Sequence, residues 1–242
     1  MEELKNKYNY VLKGVGSPTY YLGSDIKRVD KDVHDKGVLT MGSTTYVKRC
    51  LENYERLLGF KPPKKASSPM EVKYYPELDT TDTLDDQGRQ IYWSLIGMLQ
   101  WAVTLGRIDI HHSVMCMSRF RAQPRKGHLM AVARIFGYLS NYKTASIKFR
   151  TEIPDYSKFL QEQATDFDWS YIYGKVKELV PKGMPKPKGK SVRSTFFVDA
   201  NLGHDKVTGR SCSGILTMLN LTPIDWFSKL QNTVETATYG SE

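Results

Sequence analysis

The chain has 242 residues, 40% of them hydrophobic, with a formal net charge of +9 and a pI of about 9.3. That length allows one large or two modest domains, each able to bury a core. No window approaches the roughly 18 consecutive apolar residues of a membrane-spanning helix, and the basic balance suits a polyanion partner, usually nucleic acid, less often a membrane surface or an acidic protein. The bland alternative is a merely basic soluble domain.

The N-terminal residues Met1-Glu-Glu-Leu-Lys-Asn-Lys7 are charged and lack the apolar centre of a signal peptide. Cys50, Cys116 and Cys212 are odd in number, far apart and not in Cys-x-x-Cys spacing, so neither a disulfide framework nor a zinc site is expected, and a reducing compartment fits.

Residues 17–29 alternate loosely and read as one strand; Val38-Leu-Thr-Met41 returns as a second, making a β-hairpin. Ser43 or Thr44 is placed to cap a helix that runs to Leu58 and stops at Gly59. Its apolar stripe includes Val47, Cys50, Leu51 and Tyr54. A Pro- and Ser-rich loop follows and continues as a polar run to Asp86. Leu84-Asp85-Asp86 has no flanking strand, so the aspartates read as helix caps.

Three helices come next, with stripes Ile91–Ala102, Ile110–Phe120 and Leu129–Leu139. Their short connections favour an antiparallel bundle. The connection Arg119–His128 is dense in cations: Arg119, Arg121, Arg125, Lys126 and His128 are candidates for phosphate contact, set against a merely solvated loop. Arg107 and Asp109 bracket a helix start and read as structural. His111, His112 and Cys116 lack a usual metal spacing, and core packing is expected of Cys116.

Beyond Thr144, Ile147–Phe149 and Trp169–Tyr173 read as short strands. Pro181–Lys190 is a basic, proline-rich linker and marks a domain boundary. Three strands at hairpin spacing follow: one from Ser194 that ends on Asp199, with Ala200–Gly203 as turn material, then Arg210–Asn220, then Pro223–Phe227. Val234–Glu242 reads as the approach to a helix.

The first of these strands ends on Asp199. Its apolar run, Thr195-Phe-Phe-Val198, predicts a buried strand, where a carboxylate is costly unless paired or bound to a metal. Two-metal phosphodiester hydrolysis needs several converging carboxylates. Glu242 is the best second acid and Glu235 its competitor; unrelated surface acids are the alternative. His204 and Asp205 read as an ordinary turn, with metal or substrate contact as the other possibility.

Taken in order, the motifs resemble those of copia-type retrotransposon Pol polyproteins. Gly14-Val-Gly16, Tyr20-Tyr-Leu-Gly23, Tyr92-x-Ser94-x-Ile96-Gly97, Gly106-Arg-Ile-Asp-Ile110, Ser118-Arg-Phe120, Pro124, His128 and Tyr138-Leu139 resemble the end of the reverse transcriptase. Val198-Asp-Ala-Asn201, Thr208–Gly214, Ile224–Lys229, Gln231 and Val234 resemble the ribonuclease H domain. Each motif alone is weak, but their order covers nearly the whole chain. Two departures stand out: the family's usual Arg-Pro-Asp is Arg107-Ile-Asp109 here, and its first glutamate before the second ribonuclease H acid is Gly240.

The resemblance implies an α+β fold: a primer-grip β-hairpin, a helical thumb bundle, then a truncated ribonuclease H-like mixed sheet. It places the end of the palm at 1–42, thumb and connection at 43–143, connection and linker at 144–190, and the ribonuclease H part at 191–242. It implies Asp199 and Glu242 as metal ligands and catalytic acids for Mg²⁺ or Mn²⁺, and Tyr21, Leu22 and Gly23 as the primer grip. It implies RNA–DNA hybrid, primer-template and the rest of the polyprotein as partners, and a cytoplasmic, virus-like-particle location with access to the nucleus. The polymerase Tyr-x-Asp-Asp box would precede residue 1 and a third ribonuclease H acid would follow Glu242, so the chain reads as an interior piece unable to polymerise DNA alone. The alternatives are a nucleic-acid-binding remnant without catalysis, or a structural helical protein.

Overall fold

The computed structural model describes residues 2–10, 16–29, 37–157, 170–174, 181–186 and 188–241. A short helix, α1 (Glu2–Tyr8), precedes the strands β1 (Tyr20–Tyr21), β2 (Ser24–Val29) and β3 (Val38–Gly42). Strands β1 and β2 fall within the single expected strand of 17–29, which is broken by a two-residue turn. Leu22 and Gly23 both take positive φ, 47° and 100°, as a primed hairpin turn requires. Extended alternation cannot continue through two such residues.

The helices α2 (Thr44–Leu58), α3 (Asp86–Thr104), α4 (His111–Ser118) and α5 (Lys126–Asn141) pack their apolar stripes together. Tyr54, Tyr92, Leu95, Ile96, Leu99, Met117, Phe136 and Leu139 are fully buried in this core. Each such side chain contributes about 1.5–3 kcal/mol, which is why the helical stripes outweigh the weak propensities of the tyrosines and β-branched residues between them. The Tyr92 hydroxyl is satisfied by donating to the Met117 carbonyl, 2.7 Å away.

Helix ends follow the expected chemistry with one change. Asp85 caps α3, accepting from the Gly88 amide at 2.7 Å, and Gly59 ends α2 at φ 76°. Ser43 precedes α2 but its side chain caps nothing. The cap comes from β2, where Asp25 accepts from the Thr45 amide at 2.8 Å and from its hydroxyl at 2.6 Å. A carboxylate delivered by the sheet replaces the local hydroxyl and complements the helix dipole.

After the bundle, β4 (Ser146–Phe149) returns to β3, with Met41 opposite Ile147. The order β1-β2-β3-β4 makes one antiparallel sheet from the expected hairpin and a strand about a hundred residues later. Trp169 lies outside the described residues, and Ser170–Tyr173 forms a helical turn rather than the expected strand. Tyr171 is 92% exposed, and no partner strand among the described residues supplies a ladder.

The second sheet holds β5 (Ser194–Asn201), β6 (Cys212–Leu219) and β7 (Thr222–Leu230) in the order β5-β6-β7. All its described pairings are antiparallel, where a mixed sheet was expected. Phe197, Leu216 and Trp226 share a row, and Trp226 packs against the helical core. The two sheets meet through Thr222, whose hydroxyl accepts from the Arg150 amide at 2.7 Å.

Strand β5 corrects the expectation of burial. Phe196, Phe197 and Val198 are 64%, 48% and 58% exposed. Composition predicts a strand, but burial depends on neighbours, and among the described residues β5 has β6 on one side and no strand on the other.

Candidate functional site

Asp199 sits near the end of β5, opposite Gly214 of β6, which in turn faces Ser228 of β7. Its carboxylate is exposed and engages no hydrogen bond or ion pair among the described residues. It therefore does not bear the desolvation cost that burial would impose. Glu242 lies outside the described residues. The residue before it, Ser241, is held to the sheet: Gln231 Nε2 donates to the Ser241 carbonyl at 2.5 Å and to Ser213 Oγ at 2.8 Å. Ser213 pairs with Ala200, the neighbour of Asp199. Ser241 ends a helical turn, Thr238–Ser241, that contacts β5. Glu235 stands beside Gly240, where a Cβ would lie 2.7 Å from Glu235 Oε2.

The primer-grip candidates form the exposed tip of the β1–β2 turn. Tyr21 and Leu22 project into solvent at 64% and 65% exposure. Gly23 turns inwards, and a Cβ there would meet Leu105 Cδ1 at 3.1 Å and Trp101 Nε1 at 3.3 Å. The tip is thus seated on the C-terminal end of α3. Arg49 of α2 donates to the Tyr20 hydroxyl at 2.8 Å, which places a cation beside the exposed aromatics.

The five cationic-loop candidates separate by role. His128 is 2% exposed, its Nε2 donating to the Pro76 carbonyl at 2.8 Å and its Nδ1 accepting from the Arg125 amide at 3.1 Å. Nδ1 caps α5 and Nε2 ties it to the Pro76 turn, which leaves neither ring nitrogen for a phosphate. Arg119 is ion-paired with the buried Asp205. Arg125 donates to the Thr81 carbonyl at 2.5 Å, and Lys126 pairs with Asp82 at 2.8 Å on an exposed surface. Arg121 is exposed; its carbonyl accepts from the Trp93 indole at 2.6 Å.

Arg107 is fully buried and bidentate to Asp109, at 2.9 Å and 2.6 Å. That geometry bears out a structural reading of the pair.

A second cluster joins α4 to the second sheet. His112 Nε2 and His204 Nε2 each lie 3.5 Å from Cys116 Sγ. Partial burial, and then the neighbouring His204, holds the His112 imidazole below the usual histidine range. Burial does the same for His204 and pushes the Cys116 thiol up to about 12. Sequence spacing concealed this group, because His204 arrives from 88 residues away. The available signal was His112 and Cys116 at i and i+4, on one face of a helix.

No helix among the described residues is long and apolar enough to cross a membrane. Fold and sites together define an α+β protein with two antiparallel sheets beside a helical core. It carries an exposed strand-end aspartate and a positively charged surface loop.

Comparison with known proteins gives the particular relationship. A transposon Ty5-1 protein of Saccharomyces cerevisiae is 24% identical over 224 residues, covering 91% of this chain and 56% of that protein. The Pol polyprotein from transposon TNT 1-94 of Nicotiana tabacum is 25% identical over 239 residues, 97% of this chain and 14% of the polyprotein. That from transposon RE1 of Arabidopsis thaliana is 24% identical over 216 residues, 89% of this chain and 11% of the polyprotein. The chain's homologues are thus Ty5/copia-type transposon proteins, Pol polyproteins among them, as its motifs implied, and it aligns with a part of each. It spans about half the length of the first relative and a small part of the other two. No family model and no solved structure matches it.

Proposed function

We propose that this chain is the primer-template and hybrid-holding part of a retrotransposon reverse transcriptase, followed by a ribonuclease H segment with Asp199 in its metal site. The observation that carries the reading is Asp199: a carboxylate free of protein partners among the described residues, near the end of a strand, with the chain just before Glu242 tied to the same sheet.

Carboxylate oxygens of this kind suit Mg²⁺ or Mn²⁺, and Asp199 and Glu242 are the residues that would hold it. Bound there, the ion supplies activation of a water and stabilisation of the leaving oxygen. The protein's own part is to position. Pairing with Gly214, which has no side chain, leaves Asp199 open across the sheet. The Leu22–Gly23 tip would hold a primer end against the base of α3. The cations of the α4–α5 connection would meet the phosphate backbone in a salt-dependent, sequence-independent contact.

The parent protein's RNA-directed DNA synthesis and cleavage of hybrid RNA belong to the same proposal. The test uses the parent polyprotein region extended past residue 242. It is expected to cleave the RNA strand of an RNA–DNA hybrid with Mg²⁺, and Asp199→Asn is expected to abolish cleavage while keeping hybrid binding. An extended chain that binds hybrid and never cuts it would replace this reading with that of a binding module without catalysis.

A further inference from the structure

We propose that His112, Cys116 and His204 form a zinc-binding site that staples α4 to the turn after β5. This site is separate from the carboxylate site at Asp199 and takes a different class of metal.

The geometry is the first argument. Tetrahedral zinc with Zn–S near 2.3 Å and Zn–N near 2.0–2.1 Å spaces sulfur and nitrogen about 3.5 Å apart. Both Cys116 Sγ···Nε2 separations are 3.5 Å, and the three ligand atoms all lie within 4.8 Å of one another.

The outer ring nitrogens are the second argument. Ligating histidines are oriented by a hydrogen bond to the nitrogen that does not bind metal. His112 Nδ1 lies 3.4 Å from Ser228 Oγ, and His204 Nδ1 lies 3.1 Å from the Asn201 side-chain amide. Metal on Nε2 puts the ring proton on Nδ1. Ser228 Oγ can accept that proton, and so can Asn201 Oδ1 when the amide is turned end for end. Both Nε2 atoms are thereby aimed at the thiol.

The support of each ligand is the third. His112 and Cys116 are one turn apart on α4, and Cys116 is 4% exposed. His204 is positioned by its neighbour Asp205, which accepts from the amides of Val207 at 3.1 Å and Thr208 at 2.7 Å and pairs with Arg119 just beyond α4. A cavity of about 310 Å³, lined by Cys116, His204, Arg119 and Cys212, adjoins the cluster and leaves room for a fourth ligand. One thiolate and two imidazoles favour zinc over Mg²⁺, which selects oxygen.

The experiment is a titration of the full chain, stripped of metal, with ZnCl₂, and with CoCl₂ as a spectroscopic probe. One equivalent is expected to bind, with a thiolate-to-cobalt charge-transfer band, unaffected by millimolar Mg²⁺. At a hundredfold excess of free zinc over its Kd, Tm is expected to rise by at least about 5 °C. Cys116→Ser should lose the band and weaken zinc binding at least tenfold. His204→Ala should also weaken it at least tenfold, while Cys50→Ala should leave it unchanged. Circular dichroism monitors folding. If Cys116→Ser fails to fold, the unmodified chain and His204→Ala, changed on a surface turn, still decide the matter. Absence of saturable zinc binding to the unmodified chain, or equal binding by His204→Ala, overturns the proposal.

Discussion

Arg119 and Asp205, 86 residues apart, form the ion pair that joins the end of α4 to the turn between β5 and β6. Asp205 is 1% exposed, so its charge depends on this partner and on the Thr208 and Val207 amides. Arg119→Ala is expected to destabilise the protein by about 2–3 kcal/mol. This is less than the full loss for a stranded buried charge, because the Val207 and Thr208 amides still hold the Asp205 carboxylate. Urea denaturation measures it. Any loss of nucleic-acid binding in that variant then has a folding cause to be separated from loss of a phosphate contact.

Arg107 offers a sharper contrast. Asp109→Ala leaves a fully buried guanidinium without its carboxylate and is expected to cost about 3–5 kcal/mol. The double variant Arg107→Met with Asp109→Ala removes both charges and should recover most of that loss. Equal instability of the single and double variants in thermal unfolding would contradict the assignment of the cost to a stranded charge.

The cationic loop is expected to divide into binders and a cap. Arg121→Ala should reduce the slope of log K against log salt for RNA–DNA hybrid by about 0.7–0.9, with Tm unchanged. His128→Ala should instead lower stability by about 2 kcal/mol, through the lost α5 cap and the unpaired Pro76 carbonyl. Fluorescence anisotropy across a salt series, alongside thermal melts, separates the two.

Leu22 sits in the left-handed region at φ 47°, where a branched side chain is strained. Leu22→Gly is therefore expected to stabilise the isolated chain slightly, by no more than about 1 kcal/mol. The same change should impair primer extension by the parent enzyme if the turn tip holds the primer end. A variant both more stable and fully active would remove the primer-grip role.

Gly137 of α5 lies against the 63–66 loop, where a Cβ would overlap the Pro63 carbonyl oxygen. Gly137→Ala should cost about 1–3 kcal/mol despite alanine's better helix propensity, because the backbone of that loop has to move. Equilibrium unfolding of the variant measures the balance directly.

Much of this architecture was legible because helices announce themselves through local periodicity. Tyr92, Leu95, Ile96, Leu99 and Ala102 recur at helical spacing and are all fully buried. The caps at Asp85 and Gly59 follow from short-range chemistry in the same way. Asp25 capping α2 and β4 completing the sheet of β1–β3 were not legible, because each joins residues distant in sequence.

The sequence by itself determined the four helices of the core, the helix ends at Gly59 and Asp85, which side chains pack between them, and that an acid stands near the end of β5. These properties depend on side-chain type and spacing along one element. Tertiary structure alone decided that β5 is exposed, that His128 is a buried cap, and that His204 meets His112 and Cys116. Burial and convergence depend on what packs against a residue, and that neighbour comes from another part of the chain.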